Sequence, residues 1–289
     1  MNCTLHNERT HLVRQNHHCR SEVDLSANKF VLHVNVAFHY ATQCVLSTPD
    51  CWADDPSAGQ WVATRYTGNP WSGSERRDCR NHFRDCAQGA WNGVLRLRAL
   101  GSVQPELACE VTLHFVETTH PSVHLRVLAI SHPVLDTVTR SQPGAARPVE
   151  LSHLVFRSSC AEGGIARSED VDMYLAWSGA GGWDFPNSAS AWRFPTSQGE
   201  MSFTQNTVAH EFGHYLGLPH SCQVPGADVG WCESPSGISP YCVGEEPYLM
   251  SSIMGVGDQV RHEHGNPWRD RLTAIHHYRC EDLFTPERV

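Results

Sequence analysis

Every second residue from Phe30 to Tyr40 is apolar, and the positions between them, apart from Val31, carry polar or small side chains. A period of two places the apolar set on one face of an extended chain. The pattern therefore predicts a strand with one buried face. Alternating or apolar runs predict four further strands, at Cys109–Glu117, Ser122–Ile130, Val149–Phe156 and Val171–Trp177.

Helical spacing of apolar residues is clearest over Ser74–Leu97, which contains no proline. A three-to-four residue recurrence is typical of a helix with one buried face. A second such run follows Asn266 and Pro267, a residue pair that predicts an N-cap and a first helical position. The apolar face of that last helix consists of Trp268, Leu272 and Ile275.

The remaining stretches lack a clear period. Residues 1–29 are polar and rich in histidine and predict an N-terminal extension, while residues 41–73 and 178–199 are rich in glycine, proline and aromatic side chains and predict loops. The resulting order is one strand, one helix, four strands and then further helices. This order predicts an α+β fold.

Length and charge exclude several classes of protein. With 289 residues the chain is long enough for one large domain or two small ones, and too long for a small disulfide knot. Its formal charge of −9 argues against nucleic acid or anionic lipid as a general partner. No apolar run approaches the roughly 18 residues of a membrane span.

Twelve cysteines occur without a Cys-x-x-Cys pair. Because structural zinc sites space their thiolates closely, disulfides and an oxidising compartment are the better interpretation. Cys222, Cys232 and Cys242 are candidates to form disulfides in the C-terminal part of the chain. The first residues, however, lack the apolar core of a signal peptide. We predict a secreted protein. A trimmed leader, or export without an N-terminal signal, would account for the missing signal peptide. The open alternative is that the thiols stay reduced.

Candidate chemistry is concentrated in residues 208–222, VAHEFGHYLGLPHSC. His210 and His214 are four residues apart, so on a helix they project from one face and reach the same ion. Glu211 lies roughly 100° around the helix axis from His210, beside the metal and not on it. A carboxylate in that position accepts a proton from the attacking water and passes it to the leaving amine.

The next two motif residues concern the end of this helix. A helix that continued would carry the chain away from the ion, whereas Gly217 allows the left-handed conformation that ends it. His220 can then close a site of three histidines. Together these spacings are far more specific than His-Glu-x-x-His alone, and they predict a Zn²⁺ site.

With these residues the chain resembles the metzincin zinc metallopeptidases. The family has a methionine turn after the zinc motif, and SSIMGVG at residues 251–257 looks like it, with Met254 as the methionine. The resemblance implies a five-stranded mixed sheet, a backing helix, an active-site helix, and a smaller C-terminal subdomain with a terminal helix. By order, Val149–Phe156 would be the antiparallel edge strand that binds substrate. Val256 stands where some branches place a tyrosine ligand, so no fourth protein ligand is expected.

The resemblance also implies domain bounds and an activity. Residues 1–29 would precede a metallopeptidase domain at 30–289, divided into an upper subdomain at 30–220 and a lower one at 221–289. The predicted function is a zinc-dependent endopeptidase that acts on protein or peptide substrates, with Glu211 as general base. The alternatives are a metzincin-like binding or toxin-assembly module with a structural zinc site, and a zinc hydrolase of non-peptide amides.

Overall fold

The fold is that of a computed structural model of the chain. It describes residues 11–15, 19–41, 43–46, 61–67, 70–99, 106–131, 134–140, 153–156, 172–177, 192–196, 198–203, 206–219, 221, 247–255, 257–276 and 284–289. The strands are β1 His11–Gln15, β2 Arg20–Asp24, β3 Lys29–Ala41, β4 Gln43–Leu46, β5 Trp61–Thr67, β6 Leu95–Ala99, β7 Leu107–Val116, β8 Leu125–Ser131, β9 Val134–Arg140, β10 His153–Phe156, β11 Asp172–Trp177, β12 Trp192–Thr196, β13 Gly199–Phe203 and β14 Phe284–Arg288. The helices are α1 Gly73–Trp91, α2 Thr207–Leu216, α3 Pro247–Met250 and α4 Asn266–His276, with a 3₁₀ helix at His262–Gly265.

The first predicted strand is the centre of the main sheet. β3 pairs in parallel with β7 along one side, and on the other side its second half pairs in parallel with β8. Its apolar residues are buried alternately, as the period of two predicts. They are Phe30, Leu32, Val34, Val36 and Phe38.

All five predicted strands are confirmed, and they lie side by side in the order β7-β3-β8-β11-β10. β11 pairs in parallel with β8, and β10 pairs antiparallel with β11. The main sheet is therefore mixed, and β10 is at one end of its strand order. This mixed sheet with few helices is an α+β architecture.

The expected number of strands was too low, since the main sheet has nine among the described residues. β1 and β2 belong to it, although residues 1–29 lack an obvious period. β2 pairs antiparallel with the first half of β3 and buries Ser21 beside Val23. The buried serine hides the alternation from a hydrophobicity pattern. The division between residues 29 and 30, like that between 220 and 221, stays a prediction.

Two smaller sheets occupy stretches that were expected to be loops. β4, β5 and β9 form one antiparallel sheet, and β12 and β13 form a hairpin. The expectation of loops was therefore wrong for part of residues 41–73 and for the end of 178–199. Glycine and proline in the flanking residues dominated the sequence pattern there, while the strands themselves are short.

Helix α1 confirms the helix predicted from Ser74 onward but ends earlier than expected. Ser72 caps it, and Glu75 completes a capping box. The helix ends at Trp91, because Asn92 is extended and Gly93 has φ 75°. The residues after it, predicted as helix up to Leu97, instead form β6.

The hydrophobic core lies between the main sheet and helices α1 and α2. The indole of Trp91 is fully buried between these helices, and its Nε1 donates to the Ala209 carbonyl at 3.1 Å. Burying a side chain of this size stabilises the fold by several kcal/mol, at about 25 cal/mol per Å² of apolar surface. This packing fixes α2 relative to the sheet.

The C-terminal helix α4 buries the predicted face, with Trp268 and Leu272 fully buried. Asn266 is not its N-cap: it has helical dihedrals and follows the 3₁₀ helix directly. A strand, β14, follows α4 and pairs antiparallel with β6. Within the described residues, no helix is both long and apolar enough to cross a membrane.

Candidate metal centre

The zinc-motif segment forms helix α2, and its N-terminus is capped. The side chain of Asn206 accepts a hydrogen bond from the Ala209 N–H at 3.1 Å. Phe212 and Tyr215 are fully buried in the core on the same helix. The helix is thus held at its start by a cap and along its length by packing.

Both motif histidines of α2 are buried and oriented by backbone carbonyl groups. Nδ1 of His210 is 2.6 Å from the Ile253 carbonyl oxygen, and Nδ1 of His214 is 2.7 Å from the Leu218 carbonyl oxygen. Because a carbonyl oxygen only accepts, Nδ1 carries the proton in each ring. A neutral ring then presents Nε2 as the lone-pair donor, which is the state that binds a metal.

Glu211 lies with these two imidazoles. One possible ligand atom from each of His210, Glu211 and His214 lies within 4.8 Å of the others. Glu211 is only 4% exposed. Two imidazole nitrogens from one helix suit zinc, and the Glu211 carboxylate lies beside them as expected of a base, so the residues present fit the metal that the motif predicts.

The end of α2 explains how the second histidine is held. Gly217 has φ 106° and ψ 15°, and its N–H donates to the His214 carbonyl at 2.9 Å. The Leu218 N–H donates to the Gly213 carbonyl at 3.0 Å, which completes a Schellman motif. This turn brings the Leu218 carbonyl back to the ring of His214.

The segment around Met254 forms a tight turn directly behind α2. Its side chain is buried and lies against Gly213, where an added Cβ would clash with the Met254 sulfur. The Gly255 N–H donates to the Ser252 carbonyl at 2.8 Å. The Ile253 carbonyl of the same turn accepts from His210, so this methionine turn contacts the site through both backbone and side chain.

Sequence analysis missed the residues that support this turn. Ser252 and His264 are buried and their side chains are in contact, with Ser252 Oγ 3.2 Å from His264 Nε2. Burial, followed by the positive charge of Arg261, lowers the pKa of His264 to about 3. The ring is therefore neutral at physiological pH. A histidine–serine contact twelve positions apart leaves no local pattern that could have indicated it.

Two positions that belong to the predicted site lie outside the described residues. His220, the expected third ligand, is outside them, as is Val256. Ser221, the next residue, is described, and its N–H donates to the Met254 carbonyl at 3.0 Å. The chain that follows the expected ligand therefore lies against the methionine turn.

The described cysteines give no support to the expected disulfides. Among them, Cys79 and Cys109 are free thiols. Burial raises the pKa of the Cys79 and Cys109 thiols, so these side chains act as small apolar core residues. Cys222, Cys232 and Cys242 lie outside the described residues.

Comparison with known families agrees with this geometry. Residues 165–271 match the model of the metallo-peptidase family M12B, reprolysin-like. This match and the His-Glu-x-x-His motif are together consistent with a zinc metallopeptidase of the metzincin type. The matched segment is well under half of the 289 residues, and it includes α2 and the methionine turn. Neither the comparison with curated proteins nor that with solved structures gave a match.

Proposed function

We propose that this metallopeptidase is a zinc-dependent endopeptidase. One observation carries the proposal: His210 and His214 present Nε2 from one helix, each fixed by a carbonyl at Nδ1, with a buried carboxylate beside them. His220 is proposed as the third ligand on the strength of its motif position. The family match to residues 165–271 supports peptide or protein as the substrate class.

Zinc and Glu211 would have separate roles in hydrolysis. When bound, zinc supplies a Lewis acid that polarises the scissile carbonyl and acidifies water at the site. Glu211 takes the proton of the attacking water and delivers it to the nitrogen of the leaving amine. Glu211 is only 4% exposed, so bulk water has little access to its carboxyl group, and it lies on the helix that carries the proposed ligands.

Substrate would be positioned by the edge of the main sheet. β10 is at one end of the strand order of the described sheet, pairs antiparallel with β11 and contacts α2, so it lies next to the helix that carries the proposed ligands. An extended peptide that adds to such an edge places its backbone in register with the site. The peptide would thereby be held as an additional strand while one of its carbonyl groups reaches the metal.

The proposal is tested by Glu211→Gln, which removes the charge and keeps the shape. Casein cleavage and zinc content are measured on the same preparation. We expect the variant to retain zinc and to lose at least about a hundredfold in cleavage, the usual contribution of a general base. Glu106→Gln, on an exposed carboxylate that bonds Arg98, is the matched control and should cleave normally.

Two results would contradict the proposal. Retained cleavage by Glu211→Gln would remove Glu211 as the base. Zinc bound to the wild type without cleavage of casein or peptides would favour a module with a structural zinc site, while activity on small amides alone would favour an amide hydrolase. A chelator should abolish wild-type cleavage, and added zinc should restore it.

An extracellular site of action is also part of the proposal. It rests on the twelve cysteines and on the likeness to reprolysin-like peptidases. Mass spectrometry of the native, alkylated protein should find disulfides that include Cys222, Cys232 and Cys242. Complete alkylation of those three residues in protein collected without reductant would contradict an oxidising location.

A further inference from the structure

We infer that His264 is a positioning residue of the metal centre, which acts through Ser252 on the carbonyl that orients His210. The inference rests on the proposed function, because it assigns a role in holding the same centre. His264 lies 44 residues after His220, the last residue of the zinc motif, and outside the set of expected ligands. Its importance follows from a chain of hydrogen bonds between buried groups.

The first step is the proton of the His264 ring. Its Nδ1 accepts a hydrogen bond from the Arg261 N–H at 3.0 Å. A neutral imidazole that accepts at Nδ1 carries its proton on Nε2. That Nε2 is 3.2 Å from Ser252 Oγ, so His264 donates to the serine.

The second step is the methionine turn itself. Ser252 Oγ also accepts from the Met254 N–H at 3.1 Å, and the Ser252 carbonyl accepts from the N–H groups of Gly255 and Gly257 at 2.8 and 3.1 Å. The backbone of the turn is therefore fixed around one serine. Ile253 lies inside this turn, so the direction of its carbonyl is set by the same contacts.

The third step reaches the ligand. The Ile253 carbonyl accepts the Nδ1 proton of His210 at 2.6 Å. A carbonyl that shifts would let the imidazole rotate and turn Nε2 away from the metal. This chain of positioning hydrogen bonds, called the relay below, runs from His264 to Ser252, through the turn to Ile253, and on to His210.

The position of His264 is fixed by the helix that also holds α2. Its ring packs edge-on against Trp91, with ring centroids 6.1 Å apart. Trp91 donates to the carbonyl of Ala209, the residue before His210. Trp91 therefore contacts both sides of the His210–Ile253 hydrogen bond. It contacts the donor side through Ala209 and the acceptor side through His264, and this keeps donor and acceptor aligned.

Two substitutions separate this role from a local structural one. His264→Asn places an amide oxygen near the position of Nδ1, so it keeps the bond from Arg261 and loses the reach to Ser252. His264→Gln places its terminal amide near the position of Nε2, so it keeps the contact with Ser252. If His264 positions the centre, His264→Gln should keep the orientation of His210 and the binding of zinc, and His264→Asn should not. If His264 acts only in the 3₁₀ turn, the reverse should hold.

The measurements are solvent exchange of the His210 Nδ1 proton by NMR in the metal-free protein, and zinc transfer to a chromophoric chelator. Substitutions in the outer shell of metal sites typically weaken binding 10–100-fold. We expect His264→Asn to speed both processes about tenfold and His264→Gln to stay within about threefold of wild type, at the lower end of that range. His262→Asn, on an exposed neighbour in the same 3₁₀ helix, is the control and should change neither rate.

Ser252→Ala supplies an independent variant should His264→Asn fail to fold. It should speed Nδ1 exchange by a similar factor, and the effects of Ser252→Ala and His264→Asn should not add, because both break one relay. Unchanged exchange in either folded variant would overturn the inference, as would restoration by Asn rather than Gln. Failure of the wild type to bind zinc would overturn the proposed function instead, and the exchange rates would still decide the role of His264.

Discussion

Gly213 lies so close to the sulfur of Met254 that no side chain fits between them. The glycine is inside α2, between the two motif histidines, where a glycine costs about 1 kcal/mol relative to alanine in an exposed helix. Here the absent Cβ makes room for the methionine, and a second close neighbour of the added Cβ would be Trp91. The glycine therefore sets the distance between α2 and the methionine turn.

We predict that Gly213→Ala destabilises the protein by about 1–3 kcal/mol, the usual cost of overpacking a core. Urea unfolding measures the change. Gly89→Ala is the matched control, because Gly89 lies in α1 with nothing within 4 Å of an added Cβ. That substitution should leave stability unchanged or raise it by up to about 1 kcal/mol. Equal stability of the two variants would contradict the packing argument.

A second prediction concerns Gly217, whose φ of 106° is reached at little cost only by glycine and, less easily, by asparagine. Gly217→Ala should cost about 1–2 kcal/mol and should displace the Leu218 carbonyl from His214. Zinc affinity should then fall together with stability. Gly217→Asn should recover part of both quantities, as measured by chelator competition and thermal unfolding. Alanine that binds zinc as tightly as glycine would show that the turn does not orient His214.

The sequence indicated those parts of the fold in which apolarity alone marks the buried face. β3 alternates Leu32, Val34 and Val36 with polar or small residues, so its period is visible. β2 buries Ser21 as well as Val23, and a polar buried residue interrupts that signal. The helix predicted for α1 was too long, because Leu95 fits both the helical spacing before it and the alternation of β6 after it.

In the candidate site, too, some residues were predictable from the sequence and others were not. His210, Glu211 and His214 are recognisable because the chemistry of one metal requires fixed residue types at fixed spacing on a helix. The contact of Ser252 with His264 depends on how two turns meet in space, and many residue pairs could supply it. Supporting contacts of this kind follow from the fold and not from a local motif.

A third prediction separates ligands from other histidines. His214→Ala should lose the bound zinc, because two of the proposed three ligands would remain and the Leu218 carbonyl would have no ring to orient. Metal analysis after gel filtration is the measurement. His39→Ala, an exposed histidine on β3, is the control and should keep wild-type zinc. Stoichiometric zinc in His214→Ala would remove this residue from the ligand set.

The last prediction concerns the pH dependence of stability in the metal-free protein. Burial is the largest cause that lowers the pKa of His264 to about 3, and the charges of Arg261, His262 and His210 add to it. In the unfolded chain the pKa of the same ring is about 6.5. Between these values the unfolded state binds a proton that the folded state does not bind. The free energy of unfolding should therefore fall as the pH decreases from about 6.5 towards 3, by up to about 1.4 kcal/mol per pH unit from this ring.

His264→Gln isolates this contribution, because glutamine keeps the contact with Ser252 and does not titrate. Urea unfolding of both proteins in a chelator, at about pH 7 and about pH 5, gives the difference in their free energies of unfolding. Wild type should lose more stability than the variant on acidification, since only wild type gains a protonation site when it unfolds. Parallel losses in the two proteins would mean that His264 is protonated in the folded state. In that case Nδ1 would carry a proton and could not accept the hydrogen bond from the Arg261 N–H.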